Sequence, residues 1–381
     1  MKFKRYSGGL RRDSPKRFLY LLTSILLGGF GFLHFFIIRD LSDWRPSSDR
    51  LAGTYIQKDI ESVLRYPRVL SRGEEIDVLG IIHSSPGHFE HRDAIRRTWM
   101  QDWESQAPAG SFKAVFLLGN APEGQTRSRL LSESDTFGDI IVEDFMDTYN
   151  NLTLKSIFML KFVVHYELKI KFLFKMDDDI YINVDRYPEI MDLDSKSIGG
   201  YKFSGVGPIR FSTILSDGRK WVCPRWMCEE DTFPEFNSGS GYLIAGPQVS
   251  KLYQTAFEVP FIHLEDVFIT GILAERANIP RRDIQFFSDQ SGNVCPSEGA
   301  HPNLLYHPLS PKKILQMNQI LKKEEPTTNI PMFTAITRDS GTPMTYIFLN
   351  RFLQWMMLPP LFLSSKMLFL PLSQVEGSAP I

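Results

Sequence analysis

Three consecutive aspartates, Asp177 to Asp179, close an apolar run in the middle of the chain. Side chains alternate across an extended strand, so Asp177 and Asp179 should project to one side and Asp178 to the other. Two carboxylates on one side supply hard oxygen ligands for Mg²⁺ or Mn²⁺, metals that keep positions open for phosphate oxygens. The cluster therefore predicts a site for a divalent cation and a phosphate. A solvated acidic turn and a calcium loop are the alternatives, but the glycine and closing glutamate of an EF-hand do not follow.

A second acidic pair, Glu265 and Asp266, opens a segment with a helical pattern that continues to Arg276. A carboxylate near the start of a helix is often only a favourable charge at the positive end of the helix dipole. The same position also holds a carboxylate rigidly, as a general base requires. Just upstream, residues 236–246 place small residues next to an apolar strand, where glycines permit either close approach of a ligand or a tight turn.

The elements that must position these carboxylates alternate along the chain. Short apolar runs predict strands at 76–82, 114–119 and 172–176, and helical patterns occupy 92–99 and about 152–166. This alternation implies crossover connections and a mostly parallel, buried sheet. Ligands bind beyond the carboxyl ends of the strands in such sheets. Because the aspartate cluster follows the end of a strand, we expect it to face the cleft.

Residues 18–38 form an apolar span without Asp, Glu, Lys or Arg, and roughly 20 such residues suffice to cross a membrane. Basic residues precede the span and mixed charges follow it, so the positive-inside rule predicts a cytosolic N-terminus and a lumenal main part. A cleaved signal peptide is the alternative. Its apolar region should be only roughly 7–15 residues long and end at small residues, so the length favours an uncleaved anchor.

The charges are balanced, with 43 Lys and Arg against 44 Asp and Glu in 381 residues, which argues against a large nucleic-acid surface. The cysteines are Cys223, Cys228 and Cys295. One disulfide is plausible in a lumenal compartment, and the pairing stays open. Without a second Cys or His pair at ligand spacing, a zinc site is not expected.

Several sequence blocks in this order resemble the β-1,3-galactosyltransferase and β-1,3-N-acetylglucosaminyltransferase family, which are Golgi type II membrane enzymes. The blocks lie at 92–99, 115–119, 144–155, 175–183, 238–242, 265–267 and 307–311. The resemblance implies an α/β fold of the GT-A type, with a mostly parallel twisted sheet flanked by helices behind an N-terminal transmembrane helix. It also implies a UDP-sugar donor, a glycan or glycoconjugate acceptor, and Mn²⁺ or Mg²⁺ as the cofactor.

The resemblance assigns roles to individual side chains. Asp177, Asp179 and His307 would bind the metal, and Asp266 would accept the proton of the acceptor hydroxyl. The residues assigned to the donor are Arg92, Arg96, Asp177, Asp178 and Asp179. The arginines are included because a guanidinium binds phosphate through two hydrogen bonds, whereas Arg97 is expected on a solvated helix face.

The expected reaction transfers galactose from UDP-galactose to the 3-hydroxyl of an acceptor glycan with inversion, giving a β linkage. The segment 207–210 resembles galactosyl members, so UDP-galactose is favoured over UDP-N-acetylglucosamine, the alternative donor. Two further functions stay open for these carboxylates, a non-catalytic metal-dependent glycan-binding protein and a glycoside hydrolase. Phe233 and Phe236 stand where the family usually has hydroxyl-bearing rings.

These observations divide the chain into five parts. We predict a cytoplasmic tail at 1–17, the membrane anchor at 18–38, a stem at 39–73, a lumenal catalytic domain at 74–323 and a tail of unknown role at 324–381. The sequon at Asn151 predicts N-glycosylation in a lumenal protein. Asn151 also suits the start of the following helix as a capping residue.

Overall fold

The computed structural model describes residues 19–20, 22–29, 47–106, 108, 111–121, 123–210, 220–284, 286–287 and 303–323. Within the predicted anchor, only residues 19–20 and 22–29 are described, and they are helical. Across these ranges, no helix is both long enough and apolar enough to span a membrane. The anchor at 18–38 stays a prediction, and the predicted tails at 1–17 and 324–381 lie outside the described residues.

A central sheet and a small two-stranded sheet form the frame of the molecule. The strands are β1 Val63–Arg65, β2 Glu75–His83, β3 Phe112–Asn120, β4 Ile140–Met146, β5 Lys169–Asp177, β6 Tyr181–Ile182, β7 Ile198–Phe203, β8 Phe236–Ala245, β9 Arg281–Asp283 and β10 Leu305–Tyr306. The central sheet has the order β1-β4-β3-β2-β5-β8-β7-β9, and β10 pairs with β6. The predicted strands at 76–82, 114–119 and 172–176 are confirmed as parts of β2, β3 and β5.

The prediction of a mostly parallel sheet is correct for one half of the sheet only. Strands β4, β3, β2 and β5 are parallel, whereas β8 is antiparallel to both β5 and β7, and β1 is antiparallel to β4. The fold is therefore mixed α/β. The reversal has a functional consequence, because Met176 near the end of β5 pairs with Gly241 of β8, so the residues before Gly241 lie near the carboxyl end of β5.

Helices cover the sheet. The α-helices are α1 Phe89–Ile95, α2 Gln101–Gln106, α3 Gln125–Phe137, α4 Leu152–His165, α5 Tyr187–Met191, α6 Gly246–Thr255, α7 Ala274–Arg276 and α8 Pro311–Lys323. π-Helical segments at Arg96–Met100 and Val267–Leu273 join α1 to α2 and precede α7. The predicted helix at 152–166 is confirmed as α4. The predicted helix at 92–99 is confirmed only in part, because Thr98 has non-helical dihedral angles (φ −126°, ψ −119°) and breaks it.

Apolar side chains pack on both faces of the sheet, as expected for buried strands. Leu173 belongs to the core that includes α4, whereas Phe174 belongs to the core that includes Trp99 and Trp103. Residues 153–163 of α4 are buried without interruption. Strand alternation therefore sends odd-numbered side chains of β5, including Lys175, toward the α4 side of the sheet.

The folded part begins before Glu74, where the sequence predicted its start. Ala52, Ile56 and Leu70 are buried in the core that includes α4, and the Arg50 guanidinium donates to the Phe261 carbonyl at 3.0 Å. The described part of the predicted stem, residues 47–73, therefore packs on the domain. Its apolar residues are too widely spaced to show a strand or helix period.

Glu143 of β4 is an unusual core residue, because its carboxylate is fully buried and neither oxygen makes a hydrogen bond of good geometry with a described residue; the Ser62 hydroxyl and the Lys161 ammonium are its polar neighbours. Burial raises the pKa of Glu143 to about 7, and the neighbouring Ser62 and Lys161 offset this effect only in part. The native state therefore holds this proton more tightly than the unfolded state does. The free energy of unfolding should therefore fall as the pH rises from about 4.5 to 7. Above pH 7 it should stay at the lower value, because the buried carboxylate is then ionised.

Glu143→Gln should remove this pH dependence. The free energy of unfolding of the variant minus that of the wild type should be about 2–3 kcal/mol larger at pH 8 than at pH 5. Urea unfolding at the two pH values measures this difference, which cancels any constant cost of burying the amide. Asp144→Asn, at an exposed neighbour on the same strand, is the control and should show no such gain. An equal effect of both substitutions would contradict the assignment.

Candidate active site

Two short strands bring Asp177, Asp179 and His307 together. Asp177 ends β5, and the chain then pairs through β6 with β10, directly before His307. The Leu309 amide donates to the Asp179 carbonyl at 2.7 Å and fixes this crossing. One ligand atom from each of the three side chains lies within 4.8 Å of the others. The structure thus assembles the predicted metal-binding set from segments that are far apart in sequence.

The three side chains fit a divalent cation. Oδ1 of Asp179 is buried and accepts no hydrogen bond from a described residue, and it lies 3.5 Å from Nε2 of His307. Burial and the Asp177 carboxylate raise the pKa of Asp179 to about 6. The ligand atoms of two carboxylates and one imidazole thus lie close together. Such a set suits a hard or borderline metal ion such as Mg²⁺ or Mn²⁺.

Asp266 is held in place by two backbone amides. Its Oδ1 accepts from Val267 N–H at 2.8 Å, and its Oδ2 accepts from Gly239 N–H at 3.2 Å. Burial and the adjacent Glu265 charge raise the pKa of Asp266 to about 7, although these amides and Lys175 act in the opposite direction. The side chain remains partly exposed. A positioned carboxylate with this pKa can accept a proton near neutral pH.

Lys175 connects the two acidic elements. Its buried ammonium lies 2.6 Å from Asp177 Oδ1 and 3.6 Å from Glu265 Oε2, and it also donates to the Gly239 carbonyl. Burial alone would lower the pKa of Lys175, but the Asp177 and Glu265 carboxylates outweigh burial and raise it. The lysine therefore stays charged and offsets repulsion among the carboxylates. The sequence analysis missed this role, although Lys175 and Asp177 are two residues apart and share one side of β5.

Glu265 supports its neighbour Asp266 through contacts with the core. Its buried Oε1 accepts hydrogen bonds from Ser156 and Tyr242, both at 2.5 Å. These contacts tie the segment before Asp266 to α4 and β8. Glu265 thus fixes the position of the candidate base and adds a negative charge beside it.

Asp178 faces away from the metal-binding set, as strand alternation predicted. Its Oδ2 accepts from Ser84 Oγ at 2.6 Å and lies 2.9 Å from His88 Nδ1. Burial would raise the pKa of Asp178, but His88 and Ser84 outweigh burial and lower it. Asp178 orders the segment that follows β2, and a direct contact with a donor stays a prediction.

Arg92 does not fit its predicted role in binding the donor. The guanidinium is wholly buried, and it makes five hydrogen bonds, two of them to the Glu133 carboxylate. The other three reach Ser84 Oγ and the carbonyls of Ser85 and Pro86. An arginine has five N–H donors, so none is left for a phosphate. The assignment of Arg92 to the donor is therefore corrected to an ion pair between α1 and α3.

Arg96 is similarly engaged. It pairs with Glu133 at 2.7 Å and with Asp139 at 2.7 Å, and its guanidinium lies over the rings of Phe116 and Phe137. Arg96 joins the same network through Glu133 and Asp139 with three of its five N–H donors, and its contact with a donor stays a prediction. The helical spacing that suggested a phosphate clamp suits buried acidic partners equally well.

The glycines of β8 serve close packing within the protein. A side chain at Gly241 would meet Leu305 Cδ1 at 2.4 Å, and one at Gly239 would approach Asp266 at 3.3 Å. Neither residue has a positive φ, so the tight-turn interpretation is wrong. The close neighbours of these glycines are β10 and the candidate base, and the predicted close approach of a ligand stays a prediction.

Comparison with known proteins now decides the family. The galactosyltransferase family model matches residues 90–285. Human β-1,3-galactosyltransferase 5 is 31% identical over 265 residues, which cover 70% of this chain and 81% of the relative. The chain belongs to the galactosyltransferase family. Mouse β-1,3-galactosyltransferase 1 is 34% identical over 194 residues, or 50% of this chain and 57% of that relative.

One solved structure resembles this family member more distantly. The galactosyltransferase LgtC in complex with donor and acceptor sugar analogs aligns at a TM-score of 0.36 and 10% identity, covering 66% of this chain and 97% of that one. This TM-score is too low to support a conclusion about fold or function. The family match itself contains Asp177, Asp179 and Asp266, whereas His307 lies beyond it.

Cys223 and Cys228 form a disulfide in this galactosyltransferase-family chain, with 6.0 Å between their Cα atoms. This settles one pairing that the sequence left open, and Cys295 lies outside the described residues. The buried Arg210 guanidinium donates to the carbonyls of Cys223, Cys228 and Glu230. The disulfide and this arginine together hold the segment 222–230 as one unit.

Asn151 does not act as a cap for α4. Its amide donates to the Met146 carbonyl at 2.7 Å, and no side-chain hydrogen bond caps the helix. Thr153 of the sequon is wholly buried and donates to the Ile262 carbonyl at 2.6 Å. A glycan at Asn151 would therefore have to be added before this region folds.

We expect N-glycosylation at Asn151 to be visible as a mobility shift. When the chain is expressed through the secretory pathway, a glycosidase that removes N-glycans should increase its electrophoretic mobility. Asn151→Gln should abolish this shift, and Asn150→Gln, at the preceding position, is the matched control. A shift that persists in Asn151→Gln would show that another site carries the glycan.

Proposed function

We propose that this chain is an inverting, metal-dependent β-1,3-galactosyltransferase that moves galactose from UDP-galactose to the 3-hydroxyl of an acceptor glycan. The observation that carries the proposal is Asp266, a partly exposed carboxylate with a pKa raised to about 7. Lys175 connects its neighbourhood to the Asp177, Asp179 and His307 set. The names of the relatives support the sugar and the linkage.

Asp266 would act on the acceptor. As the acceptor oxygen bonds to the anomeric carbon of galactose, its proton passes to the Asp266 carboxylate. The bond between that carbon and the diphosphate oxygen breaks on the opposite face, so the configuration inverts and UDP leaves. The amides of Gly239 and Val267 keep the carboxylate oriented during this step.

Asp177, Asp179 and His307 would hold the metal. A Mn²⁺ or Mg²⁺ ion bound there would neutralise negative charge on the diphosphate. Lys175 keeps Asp177 in position through its 2.6 Å contact. In this proposal the donor diphosphate would lie beside the end of β5 and the acceptor beside Asp266.

The test is UDP release by the purified chain with Mn²⁺, a panel of UDP-sugars and a panel of β-linked acceptors. Release that needs UDP-galactose, an acceptor and the metal supports the proposal. Clear preference for UDP-N-acetylglucosamine would change the donor, and hydrolysis that persists with a chelator would favour a glycoside hydrolase. Binding of glycans without release would favour a non-catalytic relative.

The pH dependence of turnover should report the candidate base. Because Asp266 must be ionised to accept a proton and its pKa is about 7, kcat should rise with pH, reach half its maximum near pH 7 and level off above it. Initial rates from pH 5.5 to 8.5 at saturating donor and acceptor measure the profile. A rate that is flat across this range would argue against Asp266 as the base.

We also propose a single-pass type II location in the Golgi membrane, with the catalytic domain in the lumen. The charge pattern around residues 18–38 supports this orientation, and the Cys223–Cys228 disulfide suits an oxidising compartment. Protease protection in sealed microsomes tests it. Digestion of the domain without detergent would contradict the orientation.

A further inference from the structure

We propose that Tyr149 and Trp221 form an aromatic platform that binds a pyranose ring of the acceptor glycan and presents its hydroxyl to Asp266. This inference rests on the proposed transferase function and extends it to acceptor recognition. Neither side chain received a role in the sequence analysis.

Tyr149 lies on the same side of the molecule as the candidate base. It opens the 3-10 turn Tyr149–Asn151 directly before α4, and the first turns of α4 are tied to the segment before Asp266. These ties are Thr153 Oγ1 to the Ile262 carbonyl at 2.6 Å and Ser156 Oγ to Glu265 at 2.5 Å. The start of α4 is thereby fixed next to the element that carries the base.

The pKa of the Tyr149 phenol agrees with a position near the candidate base. Burial raises the pKa of Tyr149, and the next largest causes are the negative charges of Asp266 and Asp177. These charges act on the phenol in agreement with the position that the contacts of α4 with Ile262 and Glu265 give it. Tyr149 nevertheless keeps 39% of its surface exposed.

Trp221 completes the platform. Nζ of Lys220 lies 5.1 Å from the centroid of its indole ring and 5.5 Å from that of the Tyr149 ring, and 43% of Trp221 is exposed. Trp99 and Trp103, in contrast, are buried in the core. A single exposed aromatic residue is common on a protein surface. Two exposed aromatic rings on either side of one ammonium group, near a candidate base, are a specific arrangement.

Trp221 directly precedes a segment that several contacts hold in place. Val222 forms a parallel bridge with Ile209, and the Cys223 amide donates to the Ile209 carbonyl at 2.8 Å. Beyond them, the Cys223–Cys228 disulfide and the Arg210 guanidinium hold the following residues. A ring on such a support loses little freedom when it binds a ligand.

The chemistry of the platform suits a sugar face. Aromatic rings offer a large, rigid, apolar surface, and the hydroxyl of a tyrosine or the N–H of an indole adds polar contact at the edge. One face of a pyranose ring presents C–H groups that pack on such a surface, while its hydroxyls point outward. In the proposed function the donor diphosphate lies at Asp177, Asp179 and His307 and the acceptor lies at Asp266. We therefore assign the platform, which is near Asp266, to a ring of the acceptor.

Lys220 is a competitor for the same surface. Its Nζ lies 5.5 Å from the Tyr149 ring centroid and 5.1 Å from that of Trp221, as in a cation–π contact. A neutral sugar that packs on these rings would displace the ammonium. Removal of Lys220 should therefore not weaken acceptor binding, which distinguishes this platform from a charge-based site.

Acceptor kinetics of the full chain test the platform. Trp221→Ala should raise the KM for a β-linked disaccharide acceptor about tenfold, with the KM for UDP-galactose within twofold of the wild type. Trp221→Phe should recover most of the loss, and Lys220→Ala, the matched control, should leave the acceptor KM unchanged or lower. An equal rise of donor and acceptor KM in Trp221→Ala would contradict the platform.

A second readout does not depend on turnover. Titration of the acceptor, with UDP present, should change the tryptophan fluorescence of the wild type and leave that of Trp221→Phe unaltered. If the wild type shows no transfer with any donor, the proposed function fails. If the wild type transfers galactose but Trp221→Ala keeps its acceptor KM within twofold and the two titrations match, the platform alone is wrong.

Discussion

Asp266→Asn is expected to lower kcat for galactose transfer by about 10²–10⁴-fold, the range typical for loss of a general base. The amide has nearly the same shape as the carboxylate, and it can still accept the hydrogen bond from Gly239 or Val267, but it cannot take a proton from the acceptor hydroxyl. UDP binding should be nearly unchanged, because Asp177, Asp179 and His307 are intact. Initial rates at saturating donor and acceptor, together with calorimetric titration of UDP and Mn²⁺, measure the two effects.

Asp231→Asn is the matched control for this substitution, since Asp231 is an exposed carboxylate that forms a salt bridge with Arg225. It should keep wild-type kcat. If Asp266→Asn retained more than about a tenth of the wild-type kcat, Asp266 would not be the base. Loss of UDP binding in Asp266→Asn would instead indicate a disturbed donor site.

The second large effect is expected from Asp179→Asn, which should lower turnover by at least about 100-fold and abolish its restoration by Mn²⁺ after chelation. An amide is a weaker ligand than a carboxylate and leaves the set with one negative charge fewer. In the wild type, Mn²⁺ should raise Tm, because a ligand that binds only the folded state stabilises it. In Asp179→Asn and His307→Ala this rise should be absent or much smaller.

Thermal unfolding with Mn²⁺ and with chelator separates metal binding from catalysis, since it needs no substrate. His263→Ala is the control for His307→Ala, because His263 is buried beside Met227 and belongs to no metal-binding set in the described residues. A Tm that rises equally with Mn²⁺ in the wild type and Asp179→Asn would show that the metal binds elsewhere.

The parts of this protein that depend on local pattern were predictable from the sequence. The alternation of an extended chain predicted Asp177 and Asp179 on one side and Asp178 on the other. The contacts of the three side chains agree, although β5 ends at Asp177 and a turn places the other two. Apolar runs identify β2, β3, β5 and α4 because their periods arise from backbone geometry. The ordered sequence blocks identify the family.

Contacts between distant segments were decided only by the tertiary structure. His307 reaches Asp179 through the pairing of β6 with β10, and Lys175 reaches Glu265 across 90 residues because β8 reverses beside β5. For Arg92, a contact with a distant segment excluded the role that the sequence suggested. Its spacing suggested a phosphate contact, but Glu133 of α3 occupies its guanidinium.

The physical reason is that a side chain's role depends on which partner fills its hydrogen bonds and how deeply it is buried. Strand and helix periods are set by nearest neighbours in the chain, so the sequence itself determines them. Other features depend on groups that only the packed sheet and helices bring near. These features are the raised pKa of Asp266, the hydrogen bonds that occupy Arg92, and the proximity of Tyr149 to Trp221. The sequence thus determined the candidate chemistry, and the tertiary structure decided which residues can perform it.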